Sequence, residues 1–163
     1  MTWIDVTSVA LFVTVGVVEA KRGFFPAAID LCLVLLGLNL CKLLTGVVAS
    51  PLGSRATAFG VLFLFCVVVT AVASSLIDTY TKWEIGSFDS AVAGIVGVVV
   101  GLAVAHGVYH MVALTGAGGH ALVGRSLLAP EIYELRTIHG IGDLLRHLGG
   151  GPSITDQVRK SQQ

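Results

Sequence analysis

Charged side chains are scarce in this sequence. Only 12% of its 163 residues are Asp, Glu, Lys or Arg, about half the share that a soluble domain carries. The ten basic and ten acidic residues cancel, so no bulk positive charge favours nucleic acid as a partner. By contrast, 55% of the residues are hydrophobic and the mean hydropathy is +0.88. This balance argues against a soluble domain and favours an integral membrane protein.

Cysteines are also few. Cys32, Cys41 and Cys66 are odd in number, lie within apolar stretches and form no CxxC pair, so neither a disulfide framework nor a zinc site is expected. We interpret them as small buried hydrophobic side chains. The sequence also lacks a Walker loop, a GxGxxG loop and any visible nucleophile–base arrangement. We therefore predict no cofactor, no metal ion and no enzymatic activity.

Four long apolar runs dominate the chain. A helix needs about 20 residues to cross the hydrocarbon core of a bilayer, and each run is close to or above that length. We therefore predict an all-α membrane protein in which residues 1–114 form a four-helix transmembrane domain. The predicted helices cover about residues 4–20, 27–49, 57–77 and 90–114.

The chain becomes more polar after the fourth run. Residues 115–124 are predicted to form a glycine-rich link, which we expect to be flexible over residues 115–119. Residues 125–148 carry apolar side chains at spacings of three and four, which is typical of an amphipathic helix at a membrane surface. Residues 149–163 are polar and are predicted to be disordered.

The fourth run contains a regular ridge of small residues. Small side chains at a spacing of four let a second helix approach closely, and such contacts drive helix association in lipid. We predict that the other apolar helices pack against this ridge. Its members are Ala93, Gly94, Gly97, Gly101 and Ala105.

We single out five polar side chains inside the predicted helices as candidates for a functional role. They are Asp30, Asn39, Lys42, His106 and His110. Charged groups within a membrane are costly and often functional, but Asp30 and Lys42 lie near helix ends, where a structural role is also open. His106 and His110 are four residues apart and share a helix face. Two such ligands do not complete a metal site, and a proton relay is an alternative.

Four crossings place both ends of the domain on one side of the membrane and sort the polar side chains into two groups. One group contains Asp5, Asn39, Lys42, Arg55, His106 and His110. The other contains Glu19, Lys21, Arg22, Asp30, Asp78, Lys82, Glu84 and Asp89. The second group mixes signs, so we expect carboxylates and basic side chains to pair near the interface.

Four short motifs follow one another along the chain. They are Trp3-Ile4-Asp5, Arg22-Gly23-Phe24, Phe88-Asp89 followed by Gly94, Gly97 and Gly101, and Ser126 to Pro130. In this order, over about residues 2–135, the pattern resembles the colicin V production protein (CvpA) family. The motif positions carried over are Asp5, Arg22, Gly23, Phe24, Asp89 and Pro130. The chain departs from the family at Ser90 and at Val98 to Val100, where basic residues are often found.

The resemblance implies a four-helix protein of the bacterial inner membrane, involved in colicin V production or export and in envelope upkeep. Two functions stay open. The first is a non-enzymatic accessory or scaffold protein that contacts the lipid bilayer and either copies of itself or other inner-membrane proteins. The second is a subunit of a small homo-oligomeric channel or transporter, lined by Asp30, Lys42, Asp89 and the two histidines.

Overall fold

The computed structural model describes residues 2–80 and 89–133, and over these ranges the chain is helical with no β-strand. The helices are α1 (Trp3–Arg22), α2 (Phe24–Leu52), α3 (Arg55–Tyr80), α4 (Asp89–Ala113), α5 (Ala117–Gly124) and α6 (Ala129–Ile132). The first four are long and apolar enough to cross a membrane, α3 over Arg55–Ile77. The protein is therefore an all-α membrane protein, as the sequence predicts.

Helix α2 extends beyond its predicted bounds at both ends. It begins at Phe24, so that Pro26 lies in the first turn, where a missing N–H costs no intrahelical hydrogen bond. Pro51 lies inside the last turn and does not end the helix. The end comes at Gly53, whose φ of +75° is the left-handed conformation that commonly terminates helices.

Helix α4 is the centre of the packing. It lies along most of α1 and also contacts α2, and α3 packs against α2. One buried cluster, which includes Ile4 and Tyr109, joins the start of α1 and the end of α4 to α5 and α6. A second, which includes Leu38 and Phe59, joins α2, α3 and α4. Helix α3 packs mainly on α2 and leaves most of its apolar side chains exposed.

The small-residue ridge of α4 faces α1. A Cβ atom added at Gly97 would lie 2.7 Å from Glu19 Cβ and 3.0 Å from Gly16 Cα. One added at Gly101 would lie 3.0 Å from Phe12 Cα. The two helix backbones are thus in direct contact, which is how small residues allow close association in lipid. Of the ridge, Ala93, Gly97, Gly101 and Ala105 are buried and Gly94 is partly buried.

The predicted glycine-rich link at 115–124 is helical over most of its length, because Ala117–Gly124 forms helix α5, which also replaces the flexible backbone expected up to Gly119. Gly119 allows α5 to fold back onto the end of α4, since a Cβ atom there would overlap the Val112 carbonyl oxygen. Val123 then joins the buried cluster around Tyr109. The contact with α4 therefore outweighs the low helix propensity of the glycines.

Only the beginning of the predicted amphipathic segment 125–148 is described. It contains α6, with Pro130 in the first turn and Ile132 buried. Residues 134–148 and the predicted tail 149–163 lie outside the described residues.

Candidate functional site

A group of polar side chains lies where α1 turns into α2. The Nη1 atom of Arg22 is 3.0 Å from Glu19 Oε1 and 2.9 Å from Asp30 Oδ2. The Nη2 atom of the same guanidinium donates a hydrogen bond to Ser74 Oγ of α3. We call Glu19, Arg22, Asp30 and Ser74 the Arg22 cluster. It ties three helices together, and it places two carboxylates against one guanidinium.

The two carboxylates of the Arg22 cluster are buried, and only one oxygen of each is hydrogen-bonded within the described part of the chain. The Glu19 side chain is 4% exposed and that of Asp30 is 8% exposed. Glu19 Oε2 and Asp30 Oδ1 are shielded from solvent and have no hydrogen-bond partner among the described residues. Most buried polar atoms in folded proteins are hydrogen-bonded, so two such atoms in one cluster need an explanation.

A cavity of about 330 Å³ lies beside these carboxylates and is lined by side chains of all four long helices. Glu19, Arg22 and Asp30 form part of its wall, together with the hydroxyl groups of Thr70 and Ser75. The remainder of the wall is apolar and consists mostly of valine side chains. The arrangement can therefore hold water or a small polar species next to the charged groups.

The Asp89 carboxylate fixes the turn between α1 and α2. Both of its oxygens accept from the backbone N–H of Phe24, at 3.3 and 3.2 Å. A Cβ atom at Gly23 would lie 2.6 Å from Asp89 Oδ2. Gly23 also has φ +97° and ψ 169°, a backbone conformation that is essentially restricted to glycine. Three motif positions that the sequence analysis singled out thus form one contact.

Replacing Gly23 by alanine should destabilise the protein by about 2–4 kcal/mol, because backbone strain and the overlap with Asp89 act together. Gly53→Ala is the matched control. Gly53 also has a positive φ of +75°, but a Cβ atom there meets nothing within 4 Å. It should cost only the strain of about 1–2 kcal/mol. Thermal unfolding in detergent would compare the two variants, and an equal loss in both would contradict the role of Asp89.

A second polar group surrounds Asp5, which is fully buried. Its Oδ1 atom accepts hydrogen bonds from Ser126 Oγ, from Tyr109 Oη at 3.3 Å and from the Leu128 backbone N–H at 3.2 Å. Its Oδ2 atom accepts from the backbone N–H of Thr2 at 2.6 Å and from the Thr2 hydroxyl at 3.1 Å. We call this set the Asp5 cluster. It joins the start of α1 to α4 and to the segment before α6.

The two histidines of α4 lie at the same end of the bundle as the Asp5 cluster. His106 Nδ1 is 2.8 Å from the Ile132 carbonyl oxygen, which can only accept, so Nδ1 carries the proton. Nε2 of the neutral ring then accepts from Lys42 Nζ at 3.3 Å. Both ring nitrogens of His106 are therefore engaged. The His110 ring meets Phe59 edge-on, with centroids 4.9 Å apart.

Lys42 and His110 also line an open pocket of about 480 Å³, together with Thr45 and Arg55. Residues 2–80 and 89–133 contain no group of three or more His, Cys, Asp or Glu side chains that could hold a metal ion. Asn39, another of the polar side chains predicted inside the helices, is exposed on α2 and donates to the Leu35 carbonyl oxygen of its own helix at 2.8 Å. It does not join Lys42 and His106.

The predicted polar residues thus fall into separate sites. Asp30 lies in the Arg22 cluster, while Lys42 contacts His106 about 18 Å further along α2, at ~1.5 Å rise per residue. Sequence reasoning placed Glu19 in the polar group of Arg22 and Asp30 but not among the candidate site residues, and it did not predict a role for Ser74. The spacing of Glu19 and Arg22, three residues apart at the end of an apolar run, was a further signal for their pairing. Ser74 carries no signal, since serine is common in small-residue patches.

Comparison with known proteins returned no matching family model, no matching curated protein and no matching solved structure.

Proposed function

We propose that this protein is a non-enzymatic accessory or scaffold protein of the bacterial inner membrane, similar to CvpA proteins and involved in toxin production or export and in envelope upkeep. One observation carries the proposal. The motif residues on which the resemblance rests contact one another across helices: Asp5 with the segment before Pro130, and Gly23 and Phe24 with Asp89. These residues serve the architecture of the bundle, as expected of a scaffold.

The exposed apolar surface of α2 and α3 supports this role. Leu43 and Val47 on α2 are 75% and 74% exposed, and Leu64 and Phe65 on α3 are 65% and 66% exposed. Acyl chains of the lipid bilayer cover such a surface in a single copy. Helices of another membrane protein can cover the same surface, so α2 and α3 offer a face through which this protein can bind a partner in the membrane.

The native mass of the complex, extracted from its own membrane into lipid nanodiscs, tests the accessory role. We expect a single copy or a complex with a different membrane protein. A closed ring of identical copies would contradict the accessory role, because it is the assembly that a pore of four-helix subunits requires.

The second candidate function is a subunit of a small channel or transporter. The observation that favours it is the cavity beside Glu19 and Asp30, where two buried carboxylate oxygens have no described partner. If the cavity is part of a pathway, Asp30→Asn should abolish flux in proteoliposomes. Lys42→Met, at the other end of α2, should do the same if the pathway crosses the bundle. Flux that both variants leave unchanged would contradict this function.

A further inference from the structure

The Arg22 cluster carries an excess of negative charge. With both carboxyl groups ionised, Glu19 and Asp30 contribute two negative charges and Arg22 one positive charge. The described side chains that line the cavity beside them add no further charge. An unbalanced charge that is shielded from water and held within a membrane-spanning bundle is strongly unfavourable. The cluster therefore needs one further positive charge.

The cluster also lacks a hydrogen-bond donor among the described residues. Arg22 Nη1 occupies one oxygen of each carboxylate, at 3.0 and 2.9 Å, which leaves Glu19 Oε2 and Asp30 Oδ1 as buried acceptors without a donor. Because both carboxylates contact the same nitrogen atom, they lie side by side. A protonated carboxyl group is itself a donor, so a proton on one carboxylate supplies an O–H that the other can accept.

A single proton thus balances both the charge and the hydrogen bonding of the cluster. We propose that Glu19 and Asp30 share one proton and, together with Arg22, form a proton-binding site in the wall of the intramembrane cavity. A metal ion satisfies these requirements less well, because it needs several oxygen ligands. Among the described residues, no group of three or more potential metal-ligating side chains exists.

The charge and the polarity of the site come from α1, α2 and α3. Helix α1 provides Glu19 and Arg22, and α2 provides Asp30. The residues of α3 that line the cavity or contact the guanidinium carry hydroxyl groups or apolar side chains, and those of α4 that line the cavity are valines. The nearest described carboxylate of α4, Asp89, is bound to the Phe24 backbone. Arg22 is thus the cation that holds the pair in place.

Amide substitutions of the full-length protein in nanodiscs test the proposal. Glu19→Gln or Asp30→Asn alone replaces the shared proton by a neutral amide, and one carboxylate remains to balance Arg22. We expect each single variant to change the melting temperature at neutral pH by less than about 2 °C. The double variant removes both carboxylates of the cluster from Arg22 and should lower the melting temperature by about 6 °C or more. If both carboxylates are ionised, each single variant relieves the excess negative charge and should raise the melting temperature by clearly more than about 2 °C, and that result would overturn the proposal.

The pH dependence gives an independent readout. Removing the shared proton at high pH restores the excess negative charge, so the wild-type melting temperature should fall with rising pH more steeply than that of either single variant. Infrared spectroscopy should show the carbonyl stretch of a protonated carboxyl group in the wild type and its loss in both single variants. Absence of that difference band would contradict proton binding. The proposal would also be overturned if the melting temperature of the wild type, but not of the variants, rose with sodium concentration. That result would show that the site binds a monovalent cation rather than a proton.

The proton site does not depend on the accessory role proposed above. A protonated pair in a monomeric protein would support both the proton site and the accessory role. A protonated pair in a protein that forms a closed ring would support the site and favour the transport function over the accessory role.

Discussion

Replacing Gly101 by leucine should abolish the contact between α1 and α4 and cost about 3 kcal/mol or more. A Cβ atom at this position already lies 3.0 Å from Phe12 Cα and 3.2 Å from the Leu11 carbonyl oxygen. These are backbone atoms, which cannot move aside as a flexible side chain would. The two helices would have to separate, and the close approach on which their association in lipid depends would be lost.

Gly46→Leu is the matched control for this effect. Gly46 also lies inside a long apolar helix, but a Cβ atom there meets nothing within 4 Å. Leucine has a higher helix propensity than glycine, so this variant should be neutral or slightly more stable. Thermal unfolding and the oligomer size in detergent measure both variants. Equal stability of the two variants would show that α1 and α4 do not depend on their glycine contact.

The four long helices could be predicted because their signal is local. A run of about 20 apolar residues is visible without knowledge of what surrounds it. Helix ends were harder to place, as Pro51 shows. Proline removes one backbone hydrogen bond, but α2 continues past Pro51 and ends where Gly53 takes the left-handed conformation. Helix α5 could not be predicted, since its glycines become helical only through contact with the end of α4.

The Arg22 cluster was only partly visible in the sequence. The single turn between the first two predicted helices places Glu19, Arg22 and Asp30 on the same side of the membrane, and the mixed signs predict pairing there. Their burial depends on two features of the tertiary structure. The chain reverses direction at Gly23, and α3 packs so that Ser74, 52 residues after Arg22, contacts the guanidinium. The unpartnered oxygens depend on which atoms the guanidinium reaches. No sequence pattern contains that information, because it arises from the packing of separate helices.

The contacts of the Asp5 cluster also join separate helices and could not be predicted from the sequence. Replacing Asp5 is the second substitution for which we expect a large loss of stability. Asp5→Ala should destabilise the protein by about 3–5 kcal/mol, because it strips the acceptor from several buried donors at once. The donors left without a partner include the Leu128 backbone N–H and the Thr2 backbone N–H. Since Asp5 holds the segment before α6, hydrogen exchange should accelerate most strongly in residues 117–133.

Two milder substitutions separate the contributions within this cluster. Tyr109→Phe removes one hydrogen-bonding hydroxyl and keeps the Asp5 carboxylate, so it should cost about 1 kcal/mol. Asp5→Asn keeps one acceptor oxygen but turns an N–H group toward donors that need an acceptor, and its loss should lie between those of the other two variants. Thermal unfolding orders the three, and hydrogen exchange shows where each acts. If Asp5→Ala left exchange in residues 117–133 unchanged, α5 and α6 would be held by their apolar contacts with α4 alone, and the buried carboxylate would serve only to cap α1.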